Sequence, residues 1–217
     1  MDTMIDFTDE DRGIWIETFT GERFYPFAPH PSRIHLLDIA HHLAFQCRFA
    51  GACDPWYSVA EHSIRVMWRV RERLIAAGLS SGEGADRFEA VALWAALFHD
   101  AAEAYMGDVI RPVKACSLLR PVLKQMEAGI DEAIRVRFGL PEVPAEIHEL
   151  VKLADNELLA TERRDLMVRG SRNVWEWLPP PLPGRIEPWR PEAIEVQFID
   201  NAVNLASVLG FNPLEDA

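Results

Sequence analysis

The sequence predicts an all-α helical bundle with a short β-hairpin at its N-terminus. Apolar residues recur at helical spacing in several segments, one segment is apolar nearly all round, and only residues 14–25 alternate with period two. At 217 residues, with 49% hydrophobic and 26% charged, the chain fits a single soluble domain, residues 1–217, around one core.

The hairpin is expected over residues 14–25, IWIETFTGERFY, with its turn at Thr20-Gly21. Pro26 to Pro31 links it to the bundle, whose core spans residues 36–168. Within that core, Leu36, Ile39, Ala40, Leu43 and Cys47 fall on one helical stripe that Gly51 terminates. Ser58 to Glu61 has the form of a capping box, with Ser58 as N-cap and Glu61 reaching back. It opens a helix with Val59, Val66, Met67, Val70 and Leu74 inward. Residues 88–98, FEAVALWAALF, mark a buried central helix. A helix over 118–138 carries Leu119, Val122, Leu123, Met126, Ile130 and Ile134, and stops at Gly139. Another over 145–168 carries Ile147, Leu150, Val151, Ala154, Leu158 and Leu159. Residues 169–217 form a proline-rich loop and a final helix from Pro191 to the stop at Gly210. The sum is about six helices.

Charge and cysteine content restrict the function. Lys and Arg total 22 against 34 Asp and Glu, a net charge of −12. Such a surface opposes binding to a polynucleotide, which depends on neutralising phosphates. A small anion still fits a cleft with local Arg or Lys, because salt screens the distant charges over roughly 8–10 Å. No apolar run approaches the ~20 residues a spanning helix needs, and the acidic start MDTMIDFTDEDRG lacks signal-peptide features. Cys47, Cys53 and Cys116 cannot all pair and suggest no disulfide framework, so a reducing cytoplasm is expected. The amphipathic helices admit a homo-oligomer, a dimer or larger.

The chemistry concentrates around Leu97-Phe98-His99-Asp100-Ala101-Ala102-Glu103. An adjacent His and Asp at the end of the most apolar helix means a buried charge that a partner or a metal must compensate. Read alone, the doublet is equally a buried hydrogen-bonded pair. Three companions favour a metal. His62 lies on the first turn of the capped helix, near its inward face. Asp155 sits mid-helix at the border of an apolar stripe. Glu103 follows Asp100 by three residues, so in a continuing helix both carboxylates project from one side. Two imidazoles and two carboxylates suit one divalent ion, with Mn, Co, Mg, Zn and Fe all compatible. His35, His41 and His42 suggest a second site less well, because one of two adjacent helical residues must point outward. The tryptophans, among them Trp175, Trp177 and Trp189, read as core or loop anchors, with no base-stacking role assignable.

The order H…HD…D resembles the HD-domain phosphohydrolases. Ser58 to Ser63 with its "SEHS", HDAAEAYMGD (99–108) and Arg111-Pro112-Val113-Lys114 resemble the bacterial 5′-deoxynucleotidase branch and the related small dNTP triphosphohydrolases. The likeness spans roughly residues 40–168. It implies an HD helical bundle in which His62, His99, Asp100 and Asp155 ligate the metal. Glu103 would move a proton with a metal-bound or nearby water, and Asp108 would orient water or substrate. Arg48 would contact the phosphate, with Lys114 close by, since a guanidinium gives bidentate phosphate recognition. Phe49 stands where the branch carries a Trp near the sugar, which leaves deoxy preference an expectation. The implied reaction is hydrolysis of a nucleoside 5′-monophosphate to nucleoside and phosphate. The alternatives are release of tripolyphosphate from a dNTP, and a non-catalytic protein that binds a nucleotide for regulation.

Overall fold

The structure is a computed structural model that describes residues 13–80, 87–167 and 175–215. The acidic start and the junction at 168–169 between the expected core and loop lie outside these residues. Strand β1 (Ile16–Glu17) pairs antiparallel with β2 (Arg23–Phe24), Ile16 facing Phe24. The hairpin is as expected, but short, and tertiary contacts hold it. The Asp38 carboxylate accepts from the Thr20 N–H at 2.7 Å and from its hydroxyl at 2.9 Å. Phe24, fully buried, stacks on Tyr105.

Six long helices follow in the expected places: α1 (Leu36–Phe45), α2 (Val59–Ala76), α3 (Arg87–Leu97), and then α6 (Arg120–Arg137), α7 (Ala145–Leu166) and α8 (Pro191–Leu209). Between α3 and α6 lie two single-turn helices that periodicity does not announce, α4 (Glu103–Met106) and α5 (Arg111–Lys114). Four residues are too few for a periodic pattern. The helix through the HD doublet does not continue, because α3 ends at Leu97 and residues 98–102 form tight turns. The Glu103 N–H bonds the Asp100 carbonyl at 3.0 Å, three residues back rather than four.

Ser58 caps α2 as expected, its hydroxyl accepting from the Glu61 N–H at 3.0 Å, a bond worth ~1 kcal/mol. The other half of the capping box is replaced. The Glu61 carboxylate accepts from Arg65 and from the Trp189 N–H at 3.0 Å, and so ties the proline-rich segment to α2. On the far side, Arg69 and Arg73 converge on Glu157 at 2.8 and 2.5 Å, fastening α7 to α2. Helix α8 packs on α1 and α3, with Ile194, Phe198 and Ala202 fully buried. Trp94 and Phe98 stack 4.2 Å apart beside Phe138, Phe198 and Phe211.

In α6 only the C-terminal half follows the expected stripe. Ile130 and Ile134 are buried while Leu119 and Val122 are about half exposed, since α6 packs chiefly on α4, α5 and the 31–33 turn rather than on a long helix. No described helix is long and apolar enough to cross a membrane.

Candidate metal centre

Three helices bring the site together. The first turn of α2 carries His62, the residues just beyond α3 carry His99 and Asp100, and the middle of α7 carries Asp155. A ring nitrogen of His62, a ring nitrogen of His99 and a carboxylate oxygen of Asp155 all lie within 4.8 Å of one another. Among the described residues this is the one cluster of three or more such groups. The Asp155 Oδ1 stands 3.2 Å from His62 Nε2. Asp100 falls outside this group of three but borders it, its Oδ2 lying 3.3 Å from His99 Nε2 and 3.8 Å from His62 Nε2.

Each imidazole is held by its other nitrogen. His62 Nδ1 donates to Glu162 Oε1 at 2.6 Å, and His99 Nδ1 donates to the Ala96 carbonyl at 2.8 Å. An ionised carboxylate and a carbonyl only accept, so both rings carry a proton on Nδ1 and turn Nε2 inward as the nitrogen left to bind an ion. Both Nε2 atoms are buried without an aligned hydrogen-bond partner. The nearby carboxylate oxygens sit at ion-pair distance instead. Ligand atoms roughly 2.1 Å from an ion stand roughly 3–4 Å apart, the spacing seen here. The donor set therefore fits one divalent cation, and the residues can hold it.

Electrostatics agree with this fit. Burial and Arg48 depress the His62 pKa, but Glu162 and Asp155 outweigh them and push it up to about 9. Burial raises Asp100, yet His99, His62 and Arg48 hold it well below the usual carboxylate range. Asp155 is lowered against its burial, mainly by His62. A cage that stabilises an imidazolium in this way also stabilises a metal cation.

Glu162 is the residue that sequence reasoning missed. It is completely buried, bonds His62, and lies 3.3 Å from Arg48 Nε. Its position seven residues after Asp155 puts both on one face of α7, and that spacing was the available signal.

Arg48 starts a tight turn, Arg48–Gly51, in which Phe49 and Ala50 adopt left-handed φ values of 57° and 52°. Each such residue costs ~1 kcal/mol or more. The Asp108 carboxylate compensates by accepting from the Phe49 N–H at 3.2 Å. Gly107, at φ 81°, makes the turn that delivers Asp108. The guanidinium of Arg48 lies 3.4 Å from Asp100, and the ammonium of Lys114 lies 2.9 Å from Glu103. Glu103 is buried, and burial together with the Asp100 charge pushes its pKa up to about 8 despite Lys114.

These groups border one cleft of about 610 Å³. Arg48, Phe49, Asp100, Glu103, Asp108, Lys114 and Asp155 all line it, while His62 and His99 sit behind the two metal-side carboxylates. Ile110, Arg111, Leu159, Met167, Trp175 and Trp177 line it as well. The structure thus gathers every residue the sequence nominated and adds Arg111, whose guanidinium lies 3.4 Å from Asp155. The second-metal expectation at His35, His41 and His42 finds no cluster among the described residues.

No protein-family model matches the sequence. The chain is 41% identical over 152 residues to uncharacterized protein YfdR of Escherichia coli K12, across 70% of this chain and 72% of that protein. The chain belongs to the YfdR family. A second relative, uncharacterized protein RCAP_rcc00048 of Rhodobacter capsulatus, is 40% identical over 144 residues, 65% of this chain and 67% of that one. Neither name carries an activity, so chemistry for the YfdR family must come from the site itself.

Proposed function

We propose that the protein is an HD-type metal-dependent phosphohydrolase that converts a (deoxy)nucleoside 5′-monophosphate to nucleoside and phosphate. The observation that supports this best is the pair of inward-facing, buried Nε2 atoms of His62 and His99, set against the Asp155 and Asp100 carboxylates with no aligned hydrogen bond, beside a cleft. That cleft is lined by three cationic side chains and four acidic ones, so by itself it repels a phosphate dianion. A divalent ion on His62, His99, Asp100 and Asp155 reverses that balance and polarises a phosphoryl oxygen.

The chain's own groups supply the rest. Arg48, buried and fixed by Glu162, presents a guanidinium at the metal end suited to bidentate phosphate contact. Glu103, mostly protonated at neutral pH with a pKa pushed up to about 8, acts through its ionised form, which takes a proton from the attacking water and returns it to the sugar oxygen as the P–O bond breaks. Lys114 at 2.9 Å steadies its anionic form. A monophosphate is preferred because Arg48 and Lys114 each already face two carboxylates, which leaves little positive charge for three phosphates. The second reading, release of tripolyphosphate from a dNTP, draws on the size of the cleft.

The test is a panel of nucleoside mono- and triphosphates across Mn²⁺, Co²⁺, Mg²⁺, Zn²⁺ and Fe²⁺, with products identified. Inorganic phosphate and nucleoside from monophosphates are expected. Tripolyphosphate would establish the second reading, and no phosphate release from any nucleotide would overturn both. Glu103→Ala is expected to keep the metal and lose roughly 10²–10⁴ in rate. Unchanged turnover would remove Glu103 from the chemistry.

A further inference from the structure

Part of the cleft lining is aromatic. Trp177 is 58% exposed although it lines a concave surface, so it is not a core anchor like Trp94, which is 3% exposed. The Trp175 and Trp177 rings lie 6.4 Å apart and within 12° of parallel. A flat ring seated on one is therefore parallel to the other as well. Each indole is steadied by a cation, with the Arg111 guanidinium carbon 4.8 Å from the Trp177 centroid and that of Arg163 5.5 Å from Trp175. Cation–π contacts of this kind fix ring planes before a ligand arrives. Arg111 also reaches Asp155 at 3.4 Å, so Trp177 stands one side chain away from a metal-binding carboxylate.

We propose that Trp177 and Trp175 form the stacking platform for the base of a nucleotide whose phosphate faces His62, His99, Asp100 and Asp155. This rests on the phosphohydrolase reading for the phosphate end only. A ligand that spans the cleft must be anionic at one end and planar and apolar at the other, which describes a nucleotide and not a bare sugar phosphate. Base–indole stacking is sequence-tolerant, because every base has a π face. The platform therefore recognises the presence of a base rather than its identity.

The experiment compares 2′-deoxyadenosine 5′-monophosphate with 2-deoxyribose 5-phosphate, the same ligand without its base. Binding is measured by calorimetry on full-length Glu103→Ala protein loaded with Mn²⁺, so that no ligand is consumed, and phosphate release is measured on the unsubstituted protein with Mn²⁺ present. The nucleotide is expected to bind ~5- to 150-fold more tightly, the range that stacking one base supplies. Trp177→Leu is expected to collapse that ratio toward one while deoxyribose 5-phosphate binds as before, which also verifies that the variant is folded. Trp177→Phe is expected to retain most of the preference. A ratio unchanged in Trp177→Leu overturns the platform. If wild-type protein turns over both ligands equally well, the platform falls and the phosphohydrolase reading stands. If the nucleotide shows a Trp177-dependent preference but no ligand releases phosphate, the platform stands and the phosphohydrolase reading falls.

Discussion

Two histidine pairs sit in this molecule, and they do different work. His41 and His42 are adjacent on α1, whereas His62 and His99 come from different helices and meet with ring centroids 5.2 Å apart. In the first pair both nitrogens of His42 and Nδ1 of His41 are occupied. His42 Nδ1 donates to the Ala104 carbonyl at 2.7 Å, and its Nε2 accepts the Phe19 N–H at 3.1 Å. His41 stacks on Phe19 at 3.7 Å and sets Nδ1 against Glu195 at 3.1 Å. These contacts fasten the hairpin to the bundle. In the second pair Nδ1 makes the aligned hydrogen bond, and both Nε2 atoms are buried against carboxylates, His62 at 3.2 Å from Asp155 and His99 at 3.3 Å from Asp100. A histidine becomes a metal ligand when its second nitrogen is left over, not when histidines are dense in sequence.

The largest effect that separates the pairs is expected from His99→Ala. It should remove metal binding measured by calorimetry, whereas His42→Ala should leave it intact. If His42→Ala lost the metal instead, the comparison would be inverted. Next is Glu162→Gln, which keeps the shape of the partner of His62 but not its charge. Metal affinity should fall ~10- to 100-fold, the range for groups that orient a ligating imidazole, with Kd from competition against a chelator as the measure.

The third effect is on pH. His62 is raised from 6.5 to about 9 in the folded, metal-free protein. It therefore contributes stability that is fully present below about pH 6.5 and is lost as pH rises through about 9. Calorimetric unfolding of metal-free protein should show Tm declining over that window. Because the ion must displace that proton, metal affinity should rise about tenfold per pH unit until pH 9. A pH-independent affinity would place the proton elsewhere. The smallest effect belongs to His42→Ala itself, ~1–2 kcal/mol of stability through the orphaned Phe19 N–H and Ala104 carbonyl, read from urea unfolding.

Much of the fold was legible because helical periodicity is a local property. The stripe of Val59, Val66, Met67, Val70 and Leu74 in α2 is buried as its spacing implies. The one-turn helices α4 and α5 escaped, since a single turn has no period, and the helix expected over 88–98 ends at Leu97 without the continuation that would align Asp100 with Glu103. At the site, His62, His99, Asp100 and Asp155 were legible from residue type and burial pattern, together with Glu103, Asp108, Arg48 and Lys114 from their neighbouring strings. Glu162 was not, because an acid next to Arg163-Arg164 reads as part of a solvated face, and only the packing of α7 on α2 turns it inward. Trp177 read only as a core or loop anchor, one of several tryptophans among which a base-stacking role was not assignable. Its place in the cleft follows from its contact with Arg111.

The sequence by itself determined the six long helices, the Ser58 cap and the residue types able to bind a divalent ion, because each follows from spacing along one element. Only the tertiary structure decided which nitrogen of each histidine turns inward, which carboxylate holds His62, and which tryptophans line the cleft. Those are distances between elements remote in the chain, set by how α2, α3 and α7 pack together, and no local pattern encodes them.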